Sequence, residues 1–332
     1  MRLIEKVINK KETSQTPIWL MRQAGRYLPE FRKIREKNPN FIKLCLNENL
    51  VQEITLQPLK RFNIDAAIIF SDILMLPYGI GQHVEFEKNF GPKLGELKDV
   101  DLLNMDEDKF VKKLSSVYNS FKILSGHLHN KNKSLIGFTG APWTILVYML
   151  NKQSPKKELD NNLKDISENK KIIKTIIKYL KIHIKNQIEN GADIIQIFDS
   201  WAGLVENKYV GEMIYEPNAE LVEFVKSLNV PVICFPRDTN DYIEFVNEVD
   251  PSVISLDYNV DIKNIVKNIK VPTQGNLDPN ILLTNKDNIK KHTLNILENF
   301  KNHPHIFNLG HGVLPQTDPN MIDYLVNLVK DY

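Results

Sequence analysis

Two arginines on either side of a glycine form the most informative segment of this chain. Residues 18–26 read IWLMRQAGR, in which Arg22 and Arg26 lie near Gly25, a residue that permits close backbone approach or a positive φ. Each guanidinium can bind a planar carboxylate or phosphate through paired hydrogen bonds, and backbone N–H groups of the same loop can add to the binding. The segment therefore predicts a loop that binds an anionic ligand.

Arginine is scarce elsewhere in the chain. Of the 43 basic residues only seven are arginine, and four of the seven fall between positions 22 and 35. Lysine cannot reproduce the fork geometry of a guanidinium, so arginine in a lysine-rich chain indicates sites where that geometry matters. For Arg32 and Arg35, a place on a solvated helix face is an equally good interpretation. The seven are Arg2, Arg22, Arg26, Arg32, Arg35, Arg61 and Arg237.

Acidic, hydroxyl and imidazole side chains follow short apolar runs. Asp72, Ser200 and His311 each come two residues after such a run. If the runs are parallel strands, their carboxyl ends meet at one rim, where barrel enzymes build their active sites. The alternative is that these residues cap the following helices, which suits Asp238 and Asp257 but not His311, because His is a weak cap.

The runs themselves alternate with amphipathic stretches, as in a parallel sheet that is covered on both faces. Seven strands are predicted, with Pro17–Met21 as a possible eighth: Ala66–Phe70, Ser134–Gly140, Asp193–Phe198, Val230–Phe235, Ser252–Leu256, Val271–Gly275 and His305–Leu309. The predicted helices include Glu48–Phe62, Lys109–Leu128, Ile166–Asn190, Pro217–Leu228 and Asn288–Phe300.

No linker, repeat or low-complexity segment divides the chain. The pattern therefore favours an α/β fold with one domain over residues 1–332. We expect a single (β/α)8 TIM-type barrel with an N-terminal helical and loop extension, rather than an open sheet.

The bulk composition is typical of a globular protein. A net charge of +2 gives no global indication of nucleic-acid or membrane binding. No apolar stretch approaches a membrane span, and the charged N-terminus does not resemble a secretory signal, so we expect a cytoplasmic location. Cys45 and Cys234 are expected to be buried free thiols.

Further motifs make the chain similar to a known family. MRQAGRYLPEFR at 21–32 resembles the N-terminal signature of the uroporphyrinogen decarboxylases, and FSDIL at 70–74 resembles their second hallmark. GAPWT, FDSWAG, SLD, QGNLDP and NLGHGVLP follow in the family's order, so the resemblance spans nearly the whole chain. It implies a homodimer that uses no cofactor or metal and acts on a tetrapyrrole. It also implies substrate contacts at Arg22, Gln23, Ala24, Gly25, Arg26, Phe31, Asp72, Tyr148, Ser200 and His311. Ser200 stands where many members have Thr, and either residue supplies a hydroxyl.

The chemistry implied by this resemblance suits these residue types. The substrate carries an acetate and a propionate on each of four pyrroles, and the acetates lose CO₂. Protonation of a pyrrole carbon creates a cation that accepts the electron pair, and an ionised Asp72 would stabilise that cation. Arg22 is expected to bind a carboxylate and to order a proton-donating water, because a guanidinium is too weak an acid to donate readily itself. Tyr148 and His311 would hydrogen-bond substrate carboxylates.

Other interpretations remain open on the residues alone. An Asp after a strand is often a turn residue, an aromatic on a helix is often core, and a lone His is often structural. A corrinoid:thiol methyltransferase would need a zinc site, typically with a His-x-Cys pair, but residues 232–234 read Val-Ile-Cys. A non-catalytic tetrapyrrole carrier would need the arginines but not Asp72. His127 and His129 are expected to lie in an exposed loop rather than at a metal.

Overall fold

Seven parallel strands form one curled sheet in the described part of the chain. The computed structural model describes residues 1–87, 90–97, 106–155, 159 and 161–332. The sheet has the order β1-β4-β5-β6-β7-β8-β9, and β2 and β3 pair separately as an antiparallel hairpin. The strands are β1 Ala66–Ile68, β2 Val84–Glu87, β3 Gly91–Leu94, β4 Ser134–Gly140, β5 Ile194–Asp199, β6 Val232–Pro236, β7 Val253–Ser255, β8 Thr273–Leu277 and β9 His305–Leu309.

Helices connect successive strands of the sheet, as parallel pairing requires. Several begin at Asn or Asp side chains that accept backbone N–H groups, such as Asn47, Asp165 and Asp318. The helices are α1 Leu3–Ile8, α2 Pro29–Lys37, α3 Phe41–Cys45, α4 Glu48–Arg61, α5 Met75–Gly79, α6 Glu107–Lys113, α7 Ser115–His129, α8 Pro142–Asn151, α9 Ile166–Glu189, α10 Glu216–Ser227, α11 Tyr242–Val249, α12 Ile262–Asn268, α13 Lys286–Phe300 and α14 Pro319–Asp331.

Two apolar clusters stabilise this arrangement. The larger one includes side chains of the strands and of the helices that pack on them. The smaller one joins Trp19 and Met21 to side chains of β1, β4, β5, β6, β7 and β9, and α1 adds Ile4 and Val7. Strand side chains alternate between the two faces of a sheet, so a strand that is buried on both faces reads as a continuous apolar run.

The α/β fold with a parallel sheet is confirmed, and two strands, Ser134–Gly140 and His305–Leu309, have the predicted bounds. The expected eighth strand, Pro17–Met21, is instead a single isolated bridge between Ile18 and Phe307. Its backbone still contacts both edges of the sheet: the Phe307 N–H donates to Pro17 O at 2.8 Å, and the Asp65 N–H donates to Ile18 O at 2.8 Å.

Three local predictions differ from the structure. The predicted helix Lys109–Leu128 is two helices, α6 and α7, separated at Leu114. The sequence does not reveal the break, because Leu114 is buried and continues the apolar pattern across it. His127 and His129 lie in α7 rather than in a loop. The β2–β3 hairpin was not predicted, although VEFE at 84–87 has the alternation of a strand.

Candidate active site

Polar side chains from five segments of the chain lie at or near the carboxyl ends of the strands. We call this group the rim site and define it as Arg22, Arg26, Asp72, Tyr148, Ser200 and His311. Asp72 follows β1, Ser200 follows β5 and His311 follows β9.

Arg22 occupies the centre of the rim site. Its pKa is lowered by burial, while Asp72 and Tyr148 oppose that decrease and Arg26 contributes to it. The side chain is nevertheless accessible to solvent. This combination is expected for a cation in a cleft, surrounded by protein but open to a ligand.

The backbone of Arg22 is held in an uncommon conformation. Its φ is +60°, in the left-handed region that non-glycine residues rarely adopt. The side chain lies against Gly312, where a β-carbon would overlap the Arg22 side chain and come within 2.6 Å of its Cγ. Gly312 therefore makes room for Arg22, and the strained backbone is typical of a functional position.

Gln23 holds the loop that carries Arg22 in place. The buried Gln23 amide donates to Ala66 O at 3.0 Å and accepts the Leu20 N–H at 3.0 Å. In the described residues, no protein acceptor takes the N–H groups of Ala24, Gly25 or Arg26. Gln23 thus positions the loop, and its neighbours can offer backbone donors to an anion.

The guanidiniums of Arg22 and Arg26 make no ion pair with a carboxylate in the part of the chain that the structure describes. Arg2 and Arg61, by contrast, pair with acids. Arg32 donates to the carbonyls of Arg26 and Tyr27, both at 2.9 Å, and so stabilises the loop. The rim site therefore has cations available for an anionic guest.

Asp72 is the acidic member of the rim site. One oxygen accepts the Leu74 N–H at 2.9 Å, and no other hydrogen bond from the described residues reaches its carboxyl group. Burial raises its pKa to about 6, although the Leu74 N–H and the positive charge of Arg22 oppose the increase. Near neutral pH the carboxylate is ionised and has acceptor capacity left for a ligand.

Tyr148 projects from α8 into the same electrostatic environment. Burial raises the pKa of its phenol, and the Asp72 carboxylate adds to the increase. Its ring packs edge to face on Trp201, with centroids 6.0 Å apart. The phenol is thus a protonated donor near Asp72 and Arg22.

His311 is neutral in this arrangement. Burial lowers its pKa to about 4, and the charges of Arg22 and Arg237 contribute. Its Nδ1 accepts the Gly312 N–H at 2.6 Å, so the neutral ring carries its proton on Nε2. His311 can therefore donate one hydrogen bond to a carboxylate.

Ser200 lies in a turn that Asp199 organises. Buried Asp199 accepts the Thr144 hydroxyl at 2.6 Å and the Asn218 amide at 3.1 Å, and Thr144 Oγ1 accepts the Trp201 N–H at 3.1 Å. Burial raises the pKa of Asp199 to about 6. This network joins the start of α8, which carries Tyr148, to the turn at Ser200.

Phe31 is not brought to the open part of the rim site. It is only 3% exposed and packs edge to face on Phe70, with centroids 5.5 Å apart. Sequence reasoning missed Arg237, whose charge acts on both Arg22 and His311. Its position two residues after an apolar run, as for Asp72, Ser200 and His311, was the available signal.

The described residues contain no group of three His, Cys, Asp or Glu side chains that could hold a metal ion. Cys234, the thiol that a zinc-dependent methyltransferase would need, is buried, and burial raises its pKa well above the ordinary value. A protonated, buried thiol is a poor nucleophile.

Comparison with known proteins decides the family. The family model described as uroporphyrinogen decarboxylase (URO-D) matches residues 1–332. The chain is 40% identical to the uroporphyrinogen decarboxylase of Rickettsia felis, over 99% of this chain and 97% of the relative. It is 41% identical to that of Rickettsia bellii, over 100% and 99%. The chain belongs to the uroporphyrinogen decarboxylase family.

Distant proteins of known structure share the fold of this member of the uroporphyrinogen decarboxylase family. A methyltransferase from Methanosarcina mazei superposes with a TM-score of 0.78 at 14% identity, covering 98% of this chain and 96% of the other. A B12-independent methionine synthase from a Shewanella species gives 0.55 at 12% identity, covering 85% and 87%. At such identities the likeness concerns the fold alone.

No described helix is both long and apolar enough to span a bilayer.

Proposed function

We propose that this protein decarboxylates uroporphyrinogen III, converting its four acetate side chains to methyls and giving coproporphyrinogen III. The observation that carries the proposal is that an ionisable Asp72 and an Arg22 without an ion-pair partner among the described residues act on each other electrostatically in a chain that the family model matches over residues 1–332. A polycarboxylate needs cations at its periphery, and a cationic reaction intermediate needs an anion at its centre.

Asp72 acts at the reacting pyrrole. Its free acceptor capacity receives pyrrole N–H groups, and its charge stabilises the ring after a proton adds to a pyrrole carbon. The acetate C–C bond then breaks, CO₂ leaves, and the electron pair neutralises the ring cation. A second proton on the exocyclic carbon completes the methyl group, and the ring proton is lost.

Arg22 binds a carboxylate of the substrate and orients the water that delivers the proton. Arg26 and the N–H groups of Ala24 and Gly25 extend the anion site, while Tyr148, Ser200 and His311 donate further hydrogen bonds. Gln23 holds the Arg22 loop in place through its hydrogen bond to Ala66 O, and Phe31 packs on Phe70 behind the site. An Arg22→Lys protein with full turnover and an unchanged pH profile would contradict this role.

The experiment that tests the function is anaerobic incubation of the protein with uroporphyrinogen, followed by oxidation and counting of the carboxyl groups on each product. We expect products that lose carboxyls stepwise until only the propionates remain. Folded protein that leaves every acetate intact would contradict the proposal, and heat-inactivated protein is the control.

The wider architecture is also part of the proposal. The Pro17–Met21 segment would complete an eight-stranded barrel as a single domain, which the backbone hydrogen bonds to Phe307 and Asp65 support. The family resemblance further supports a cytoplasmic homodimer, and sedimentation at equilibrium tests the dimer. A sedimenting monomer at micromolar concentration would contradict that part alone.

A further inference from the structure

Arg237 stands on a loop that is fixed from several sides. It directly follows β6, and its N–H donates to Asp199 O at 3.1 Å, next to Ser200. Asp238, in the left-handed region with φ of +57°, donates its N–H to the Asp257 carboxylate at 2.9 Å. A β-carbon at Gly203 would lie 2.5 Å from Asp238 O, so the two turns pack closely. The loop is therefore preorganised.

The guanidinium of Arg237 has N–H donors that remain available for a ligand. Its side chain is 23% exposed, and Nε lies 3.2 Å from the Asp238 carboxylate, which is itself 46% exposed. Among the residues that the structure describes, no hydrogen-bond acceptor meets its two terminal nitrogens. An ion pair with so exposed a partner contributes little, so a structural role does not account for this arginine.

The charge of Arg237 acts on two members of the rim site. Its positive charge acts on Arg22 and on His311, whereas the cation that acts on Asp72 is Arg22. Arg237 follows β6 and Asp72 follows β1, and β4 and β5 lie between these two strands in the sheet, so Arg237 is set apart from the acid at which we propose that decarboxylation occurs. A carboxylate bound here is peripheral and is not the one that leaves.

We propose that Arg237 is a specificity-determining residue that binds a propionate carboxylate of the tetrapyrrole, beside the Nε2–H of His311. The inference rests on the proposed function. Each acetate disappears in turn at Asp72, but the four propionates persist through every step. A fixed guanidinium whose strand lies three positions from that of Asp72 can therefore serve all four decarboxylations only if its partner is a propionate.

The test compares Arg237→Met and Arg237→Lys with wild type and with Lys226→Met. Lys226 is an exposed cation paired with Asp250 outside the rim site, so its variant controls for loss of one positive charge. Two quantities are measured anaerobically: KM and kcat for uroporphyrinogen, and the Ki of coproporphyrinogen III, which carries propionates but no acetates. Circular dichroism establishes that each variant is folded.

For Arg237→Met we expect KM and Ki each to rise by about tenfold, as the loss of a charge-assisted bidentate contact predicts, with kcat within about threefold. Arg237→Lys keeps the charge but not the paired bonds and should give intermediate values, and it carries the test if the Met variant does not fold. Lys226→Met should match wild type.

Two results would overturn the assignment. An unchanged Ki for coproporphyrinogen with a raised KM would mean that Arg237 binds an acetate, and unchanged values for both would remove it from the site. Either result is distinguishable from failure of the proposed function, because that failure would appear as wild-type protein that releases no CO₂ at all.

Discussion

Two aspartates at opposite ends of β1 show how one residue type serves stability and function. Asp65 precedes the strand and accepts the Lys330 ammonium at 2.6 and 2.8 Å and the Ile18 N–H at 2.7 Å. Asp72 follows the strand by four residues and accepts one N–H. Both are substantially buried, but only Asp65 is fully compensated by its neighbours.

The difference between Asp65 and Asp72 reflects the two ends of the strands, because buried carboxylates are neutralised at one end and not at the other. At the amino end of β5, Asp193 likewise accepts hydrogen bonds from Arg2 at 2.6 Å, His129 at 3.0 Å and the Leu135 N–H at 2.7 Å. At the rim, the pKa of Asp72 is raised, and Arg22 makes no ion pair with any acid that the structure describes. A compensated carboxylate stabilises the fold, whereas an uncompensated one is available to a substrate.

The largest effect is expected from Asp72→Asn. The amide is nearly isosteric but cannot stabilise a ring cation, so we expect kcat to fall on the order of 10²- to 10³-fold with substrate binding retained. Rates of CO₂ release and equilibrium binding measure the two quantities. Near-native turnover would contradict the role of Asp72.

The same variant should be at least as stable as wild type at neutral pH. The folded-state pKa of Asp72 is raised to about 6, above its unfolded value, so its ionised form lowers stability and that cost grows as pH rises through the folded pKa. The advantage of the variant in urea unfolding should therefore shrink in acid, where wild-type Asp72 is also protonated.

Asp65→Asn should give the opposite result. It leaves the Lys330 ammonium, whose side chain is 9% exposed, without its partner, so we expect the free energy of unfolding to fall by about 2–4 kcal/mol. Urea unfolding measures this change, and kcat per folded molecule should be unchanged. A loss of kcat without a loss of stability would reverse the contrast between the two residues.

Gly312→Ala tests the positioning of Arg22 by steric means. The new methyl would overlap the Arg22 side chain, so we expect kcat/KM to fall on the order of 10-fold or more. Gly211→Ala is the matched control, because no heavy atom lies within 4 Å of its added β-carbon. Equal kinetics for the two variants would show that the Arg22 rotamer does not matter.

Much of the framework could be predicted from the sequence because strands buried on both faces read as continuous apolar runs. β4 and β9 were located to the residue for that reason. Residues 17–19 were harder, since their bonds to Asp65 and Phe307 depend on contacts distant in sequence. The break at Leu114 was hidden by apolar periodicity that continues through it.

The rim site could be predicted only as a set of residue types. The motifs named Gln23 and Phe31 together with Arg22, but only packing separates the two supporting residues from the accessible cation. The positive φ of Arg22 and the neutral state of His311 arise from neighbours such as Gly312 and Arg237. No local pattern encodes these contacts.

The pH dependence of single-turnover CO₂ release tests the central claim most directly. The reaction requires ionised Asp72, whose pKa is raised to about 6, so the wild-type rate should be level near neutral pH and fall about tenfold per pH unit in more acidic solution. His311, with a pKa of about 4, titrates below this inflection. The residual rate of Asp72→Asn should show no inflection near pH 6. A wild-type rate that stays level through that pH, or an inflection that persists in Asp72→Asn, would contradict the account.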